Sequence, residues 1–171
     1  SGNLADFLFV QAKVVAAGGA KLKIFNWARS VGDQMADCRL NKQPVPLLLG
    51  IKHKIASKLV FSKLHAALGG RLRWCISGAA PLDPTIAKFF IGADVIVLEG
   101  LGMTENTSFT NVNRPDNYRV GWVGPPGPGI EQKIAEDGEI LFRGRNVMRE
   151  YYKMPEETAK TITPDGWLRT G

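Results

Sequence analysis

The chain has 171 residues, with 44% hydrophobic and 22% charged positions. That composition describes a folded globular protein and excludes disorder as the main state. The net charge of +6 is unevenly placed: residues 1–74 carry 12 Lys and Arg against 3 Asp and Glu, and the rest of the chain is net acidic. Such asymmetry suggests a basic half that meets an anionic surface, although a plainly solvated face accounts for it equally well. No apolar run approaches the roughly 18 residues of a membrane span. The two cysteines, Cys38 and Cys75, make no disulfide framework, which points to a reducing compartment and a cytoplasmic setting.

In chain order, residues 1–70 read as a basic helical segment. Residues 4–17 form a first apolar-rich helix broken at Gly18-Gly19. A second runs from Ala20 to Leu40, with Leu22, Phe25, Ala28, Val31 and Met35 spaced along one face. Gln43-Pro44-Val45-Pro46 interrupts the pattern. A third helix, Leu47–Leu68, carries Lys52, Lys54, Lys58 and Lys63 and ends at Gly69-Gly70.

Residues 71–120 read as a strand–helix–strand core. Arg71–Ser77 is a short strand. Asp83 caps a helix over 83–91, with Pro84 at its first position. Asp94–Glu99 is a second, buried strand. The order predicts a parallel pair within an α/β sheet. Residues 121–171 are β-like and rich in Gly and Pro. A hairpin is expected around Glu136-Asp137-Gly138, followed by a short helix from Pro155 and a last strand after Asp165-Gly166. The fold class is therefore α/β, with a helical N-terminal part, a partial and mostly parallel sheet, and a β-rich C-terminal part.

Two loops follow predicted strands, where ligands of α/β sheets collect. The first is Ser77-Gly78-Ala79-Ala80-Pro81-Leu82, whose small residues let a flat ligand approach the backbone. The second is Glu99-Gly100-Leu101-Gly102-Met103-Thr104-Glu105. Its glycines read as a compact turn, its Thr104 hydroxyl suits a phosphate oxygen, and its Glu105 carboxylate suits the Mg²⁺ that accompanies phosphate. Taken singly, each loop is equally well explained as a tight connection. Together at one sheet edge they describe a nucleotide site.

Other chemistries are disfavoured. His53 and His65 have no ligand cluster in metal spacing and read as surface or boundary residues. There is no nucleophile elbow and no cysteine in a catalytic context. Nucleic-acid binding lacks a recognised module or interleaved aromatics. The four tryptophans read as core anchors. Arg143, Arg145 and Arg149 read as solvated or paired with Glu139 and Glu150. Tyr151-Tyr152 reads as hairpin packing.

The segments SGAAPL, EGLGMTEN, VGPPGPGIEQKI, GEILFRGRNVMREYYKMPEET and DGWLRTG occur in that order. Together they resemble the adenylate-forming superfamily and, within it, the long-chain acyl-CoA synthetases. The resemblance covers almost the whole chain and implies an ATP-dependent ligase using Mg²⁺ and CoA to activate a fatty acid. It implies that Gly78, Ala79, Ala80 and Pro81 line the adenine pocket and that Glu99, Gly100, Leu101, Gly102, Met103 and Thr104 cover the base and α-phosphate. It also implies that Thr104 bonds a phosphate oxygen and Glu105 holds Mg²⁺. Leu101 departs from the family's usual Tyr, which stacks on adenine.

The family's upstream phosphate loop and its C-terminal catalytic Lys are not found here. The expectation is thus a central excerpt of an AMP-binding domain, inactive alone and completed by the remainder of its own chain. Two other readings stay open: a ligase for medium-chain or aryl acids, and a noncatalytic nucleotide- or acyl-binding module. An anionic membrane surface is a further expected partner.

Overall fold

Apolar spacing of three and four residues produces the first long element, α1 (Gly19–Leu40), whose buried face comprises Phe25, Ala28, Val31, Gly32, Met35 and Ala36. The computed structural model describes residues 18–171, so the helix expected over 4–17 lies outside the described residues. The described chain falls into two units. One ends at Cys75 and resumes over Asp83–Val97; the other comprises Ile76–Leu82 and Leu98–Gly171.

In the first unit, α2 (Leu47–Ala56) continues through a π-helical turn, Ser57–Phe61, into α3 (Ser62–Ala67). The single regular helix expected here is therefore interrupted. The reason is visible in the buried positions. Leu49, His53 and Ala56 are followed by Phe61 and Leu64, and the five-residue step from Ala56 to Phe61 needs the wider turn. The last helix of the unit, α4 (Pro84–Gly92), starts as expected: Asp83 accepts the Thr85 amide at 2.7 Å and Pro84 occupies the first turn. That hydrogen bond holds the Asp83 carboxyl below its ordinary pKa.

The helices close on a core containing Phe25, Met35, Phe61, Leu64 and Phe89. Phe61 meets Phe89 edge-on at 6.4 Å between ring centroids, a favoured aromatic geometry. At the crossing of α1 and α4, Gly32 faces Gly92 so closely that a Cβ on Gly92 would overlap the Gly32 carbonyl.

A helix leaves its last carbonyls without internal partners. Here three side chains supply donors to the end of α4. Arg39 Nη1 donates to the Ile91 carbonyl at 2.6 Å, His53 Nε2 to that of Gly92 at 2.6 Å, and His65 Nε2 to that of Ala93 at 2.7 Å. Arg39 also pairs with Asp94. The surface position expected for His53 is corrected: it is buried against Phe61 because its ring carries the donor that a buried carbonyl requires.

Most of the β structure belongs to the second unit. Strands β1 (Trp74–Ser77), β2 (Ile96–Met103) and β3 (Ser108–Val112) form one sheet in that order. The predicted neighbours β1 and β2 are adjacent, with α4 between them in sequence. β3, however, returns antiparallel to β2. The sheet is therefore less parallel than expected, because the Thr104–Thr107 connection is far too short for a crossover.

A second sheet has the order β4 (Ile130–Ile134), β5 (Ile140–Gly144), β6 (Leu168–Arg169), antiparallel throughout. Its hairpin turns where expected, with Asp137 accepting the Glu139 amide and Gly138 at φ +92. The helix α5 (Pro155–Thr161) precedes β6. Of the tryptophans, only Trp167 is an interior anchor; Trp27, Trp74 and Trp122 are substantially exposed.

The Gly32–Gly92 contact yields a direct expectation. Gly92→Ala inserts a methyl group against backbone that has no rotamer to adjust, and destabilises the protein by about 1–3 kcal/mol. Denaturant unfolding of the wild type and variant measures it; equal midpoints would refute the close approach.

Candidate functional site

Both sequence-selected loops lie in the second unit, and the structure brings their glycines together. A Cβ built on Gly78 would crowd the Phe109 ring and approach the Gly100 carbonyl, and one built on Gly100 would crowd the same ring. Phe109 of β3 thus lies over both glycines, with its ring part-exposed. Ala79 adopts φ +70, which bends the chain sharply after Gly78. Ala79, Ala80 and Pro81 are exposed beyond it.

The second loop is a different structure from the one expected. Gly100 to Met103 is not a compact turn but the continuation of β2. Its glycines serve a cross-strand approach. Gly100 lies against the Phe109 ring and the Asn111 carbonyl. Gly102 sits at a register shift, where any Cβ would overlap the Ser108 carbonyl oxygen. A bulge of this kind re-aims the residues that follow. Leu101 is half-buried and pairs in register with Asn111.

Glu99 is buried, and its carboxylate is occupied. Oε2 accepts the Gly121 amide at 2.6 Å and Oε1 faces the Leu82 amide at 3.4 Å. It therefore ties the end of the first loop and the turn at Gly121 to β2. Burial without such partners would be costly.

Thr104 and Glu105 begin the 3₁₀ turn Thr104–Asn106 that ends the strand. Thr104 is exposed. The turn is held from inside by the buried Asn106, whose Oδ1 accepts the Met103 amide at 2.9 Å, while its carbonyl accepts from Asn146 Nδ2 at 3.0 Å. Glu105 is fixed at both ends. Its carbonyl accepts the Met148 amide at 2.6 Å, and its Oε1 accepts the Tyr151 hydroxyl at 2.7 Å.

A cleft of about 860 Å³ opens beside this carboxylate, bordered by Met103, Glu105, Gly138, Tyr151, Lys160 and Arg169. Thr104 is not among its lining residues. Glu105 is thus a part-buried carboxylate with one oxygen oriented by a phenol and set at the edge of a polar cleft. Such a group can hold a divalent cation alongside phosphates and waters. No group of three or more His, Cys, Asp or Glu residues able to hold a metal occurs among the described residues.

Phe109 was not singled out from sequence, and Tyr151, read there as hairpin packing, instead donates to Glu105. Tyr151 sits 46 positions from Glu105, and no local pattern links them. The doubled Tyr in the hairpin's wake was the only signal. Arg143 grips Glu131 with Nε at 3.0 Å and Nη2 at 2.6 Å, and lies over the Trp167 ring. That pairing replaces the one expected with Glu139, and it holds the Glu131 carboxyl below its ordinary pKa.

The hydrogen bond to Glu105, then desolvation, then the carboxylate's charge push the Tyr151 phenol above its usual pKa. The contact is therefore complete below the ordinary tyrosine range and is lost as pH rises through the raised value. Ultraviolet titration should show a phenol ionising late, and Tyr151→Phe should remove it. Loss in the variant of a phenol that titrates in the ordinary range would show that the two side chains are not joined.

A family model described as AMP-binding enzyme matches residues 23–152. The long-chain-fatty-acid–CoA ligase FadD15 of Mycobacterium bovis is 40% identical over 125 residues, which cover 73% of this chain and 21% of that protein. Fatty acyl-CoA synthetase A of Dictyostelium discoideum is 36% identical over 163 residues, 86% of this chain and 23% of that protein. The chain therefore spans under a quarter of these relatives. Among solved structures, a malonyl-CoA ligase bound to methylmalonyl-CoA and AMP is 35% identical with a TM-score of 0.54, over 68% of this chain and 28% of that one. The chain therefore belongs to the AMP-binding, adenylate-forming enzyme family.

Proposed function

We propose that the chain is the nucleotide- and Mg²⁺-holding part of a ligase that activates a long-chain fatty acid with ATP and passes it to CoA. The observation that carries this reading is the carboxylate of Glu105, fixed by Tyr151 at the lip of a polar cleft and adjacent in sequence to the exposed Thr104. The relatives named as fatty-acid ligases support the choice of acid.

In this reading Gly78, Ala79, Ala80 and Pro81 offer a flat backbone edge to adenine, with Gly100, Leu101, Gly102 and Met103 on the neighbouring strand. Glu99 keeps the first loop seated. The Thr104 hydroxyl donates to a phosphate oxygen. Glu105 would hold Mg²⁺, which when bound would supply charge neutralisation to the triphosphate. The Tyr151 hydroxyl keeps that carboxylate aimed.

The chemistry is two displacements. A carboxylate oxygen of the acid attacks the α-phosphorus, and the bond to pyrophosphate breaks. The CoA sulfur then attacks the acyl carbon, and AMP leaves with the electron pair. Neither step needs a protein nucleophile, in keeping with a site built from small residues, a hydroxyl and a carboxylate. Positioning and charge neutralisation do the work. Because the chain spans under a third of its relatives' length, turnover is assigned to the whole protein and not to these residues alone.

The full reading frame should catalyse ATP–pyrophosphate exchange that depends on added acid and peaks with long chains. Glu105→Ala should lower that exchange about a hundredfold or more. Exchange peaking with medium-chain or aryl acids would redirect the substrate assignment. No exchange with any acid, in a protein that still binds ATP, would leave a noncatalytic module as the better reading.

Leu101 offers a second test. An aromatic ring at this position adds stacking that a Leu lacks, so Leu101→Tyr should tighten ATP by up to about tenfold. Equal or weaker affinity by titration calorimetry would show that the side chain does not meet the base.

A further inference from the structure

We infer that the solvent-facing side of α2 and the π-helical turn is a docking surface for an anionic lipid bilayer. The inward side of this segment is filled: Leu49, His53, Ala56 and Phe61 are buried. The outward side should then be polar, and it is not. Leu47 is 84% and Leu48 64% exposed, and Ile51, Ile55 and Leu59 are each about half exposed, at 50%, 47% and 49%. Residues 47, 51, 55 and 59 recur every fourth position, so they form one continuous apolar stripe.

Charge decides what such a stripe meets. At about 100° per residue in α2 and less through the wider π turn, Lys54 and Lys58 fall on one border of the stripe and Lys52 on the other, while Lys63 follows beyond the turn. All four are exposed. No Asp or Glu occurs anywhere from position 38 to position 82, whereas eight Lys and Arg do. An apolar band bordered by basic residues is the pattern of a helix lying in a membrane interface. Its stem methylenes reach along the apolar boundary while the ammonium groups meet lipid phosphates. A covering protein segment would account for the leucines and isoleucines, but not for cations on both borders without one interspersed carboxylate. The segment lies on the membrane rather than through it. No helix among the described residues is long and apolar enough to cross a bilayer.

The test uses the full-length protein and vesicles of phosphatidylcholine, with and without phosphatidylglycerol. Sedimentation with the anionic vesicles, weakening as salt is raised, is expected. Ile51→Gln/Ile55→Gln and, separately, Lys52→Gln/Lys54→Gln/Lys58→Gln should each lower vesicle partitioning at least about tenfold. Neither should shift the melting temperature, because these side chains already face solvent. Failure to sediment, or sedimentation indifferent to both variants, would overturn the inference. So would a lower melting temperature in the isoleucine variant with partitioning unchanged, which would identify another part of the chain as the cover. Sedimentation and melting do not read ligase activity, so this surface and the proposed reaction stand or fall separately.

Discussion

The carboxylate of Glu99 organises the second unit. A buried acid demands donors, and here they are backbone amides from two distant segments: Gly121 closely, and Leu82 at longer range. β2 therefore gathers the loop after β1 and the turn that leads into the second sheet. The residues with chemistry to offer follow Glu99 along the same strand. A side chain singled out from sequence for the nucleotide is, in the structure, the tie that gives the two loops a fixed frame.

Glycine supplies the complementary constraint. Where Glu99 pulls segments together, Gly78, Gly100 and Gly102 remove the side chains that would keep them apart. The Phe109 ring occupies the space so created, and the bulge at Gly102 turns the chain so that Thr104 and Glu105 leave the sheet at its edge. The first unit uses the same device at Gly32 and Gly92, while Arg39, His53 and His65 answer the carbonyls at the end of α4. Each unit thus combines one close backbone approach with a small number of buried or half-buried polar ties.

What could be read from the sequence was local in origin. Asp83-Pro84 marks a helix start because cap and ring act on the next two residues. Glu136-Asp137-Gly138 marks a turn because Gly138 must take a positive φ. The same local logic misread Gly100-Leu101-Gly102. Glycine signals a turn to a reader of neighbours, yet here it answers a strand six to twelve positions away. His53 and Tyr151 were opaque for the same reason, since their partners lie 39 and 46 residues distant. The two loops themselves were legible as an ordered set of motifs, whereas the strand-and-bulge geometry of the second was not.

The π-helical turn at Ser57–Phe61 carries a consequence for how this segment tolerates insertions and deletions. It holds one residue more than a regular turn, and everything C-terminal to it is phased to that surplus. Winding the present five residues as a regular helix would rotate Phe61 and Leu64 by roughly 90° away from the core they now fill, whereas removing a single residue there would restore ideal helical geometry with both still facing inward. The irregular turn is therefore a register mark. Length and winding between Ala56 and Phe61 can change only together, because the packing on either side fixes the phase.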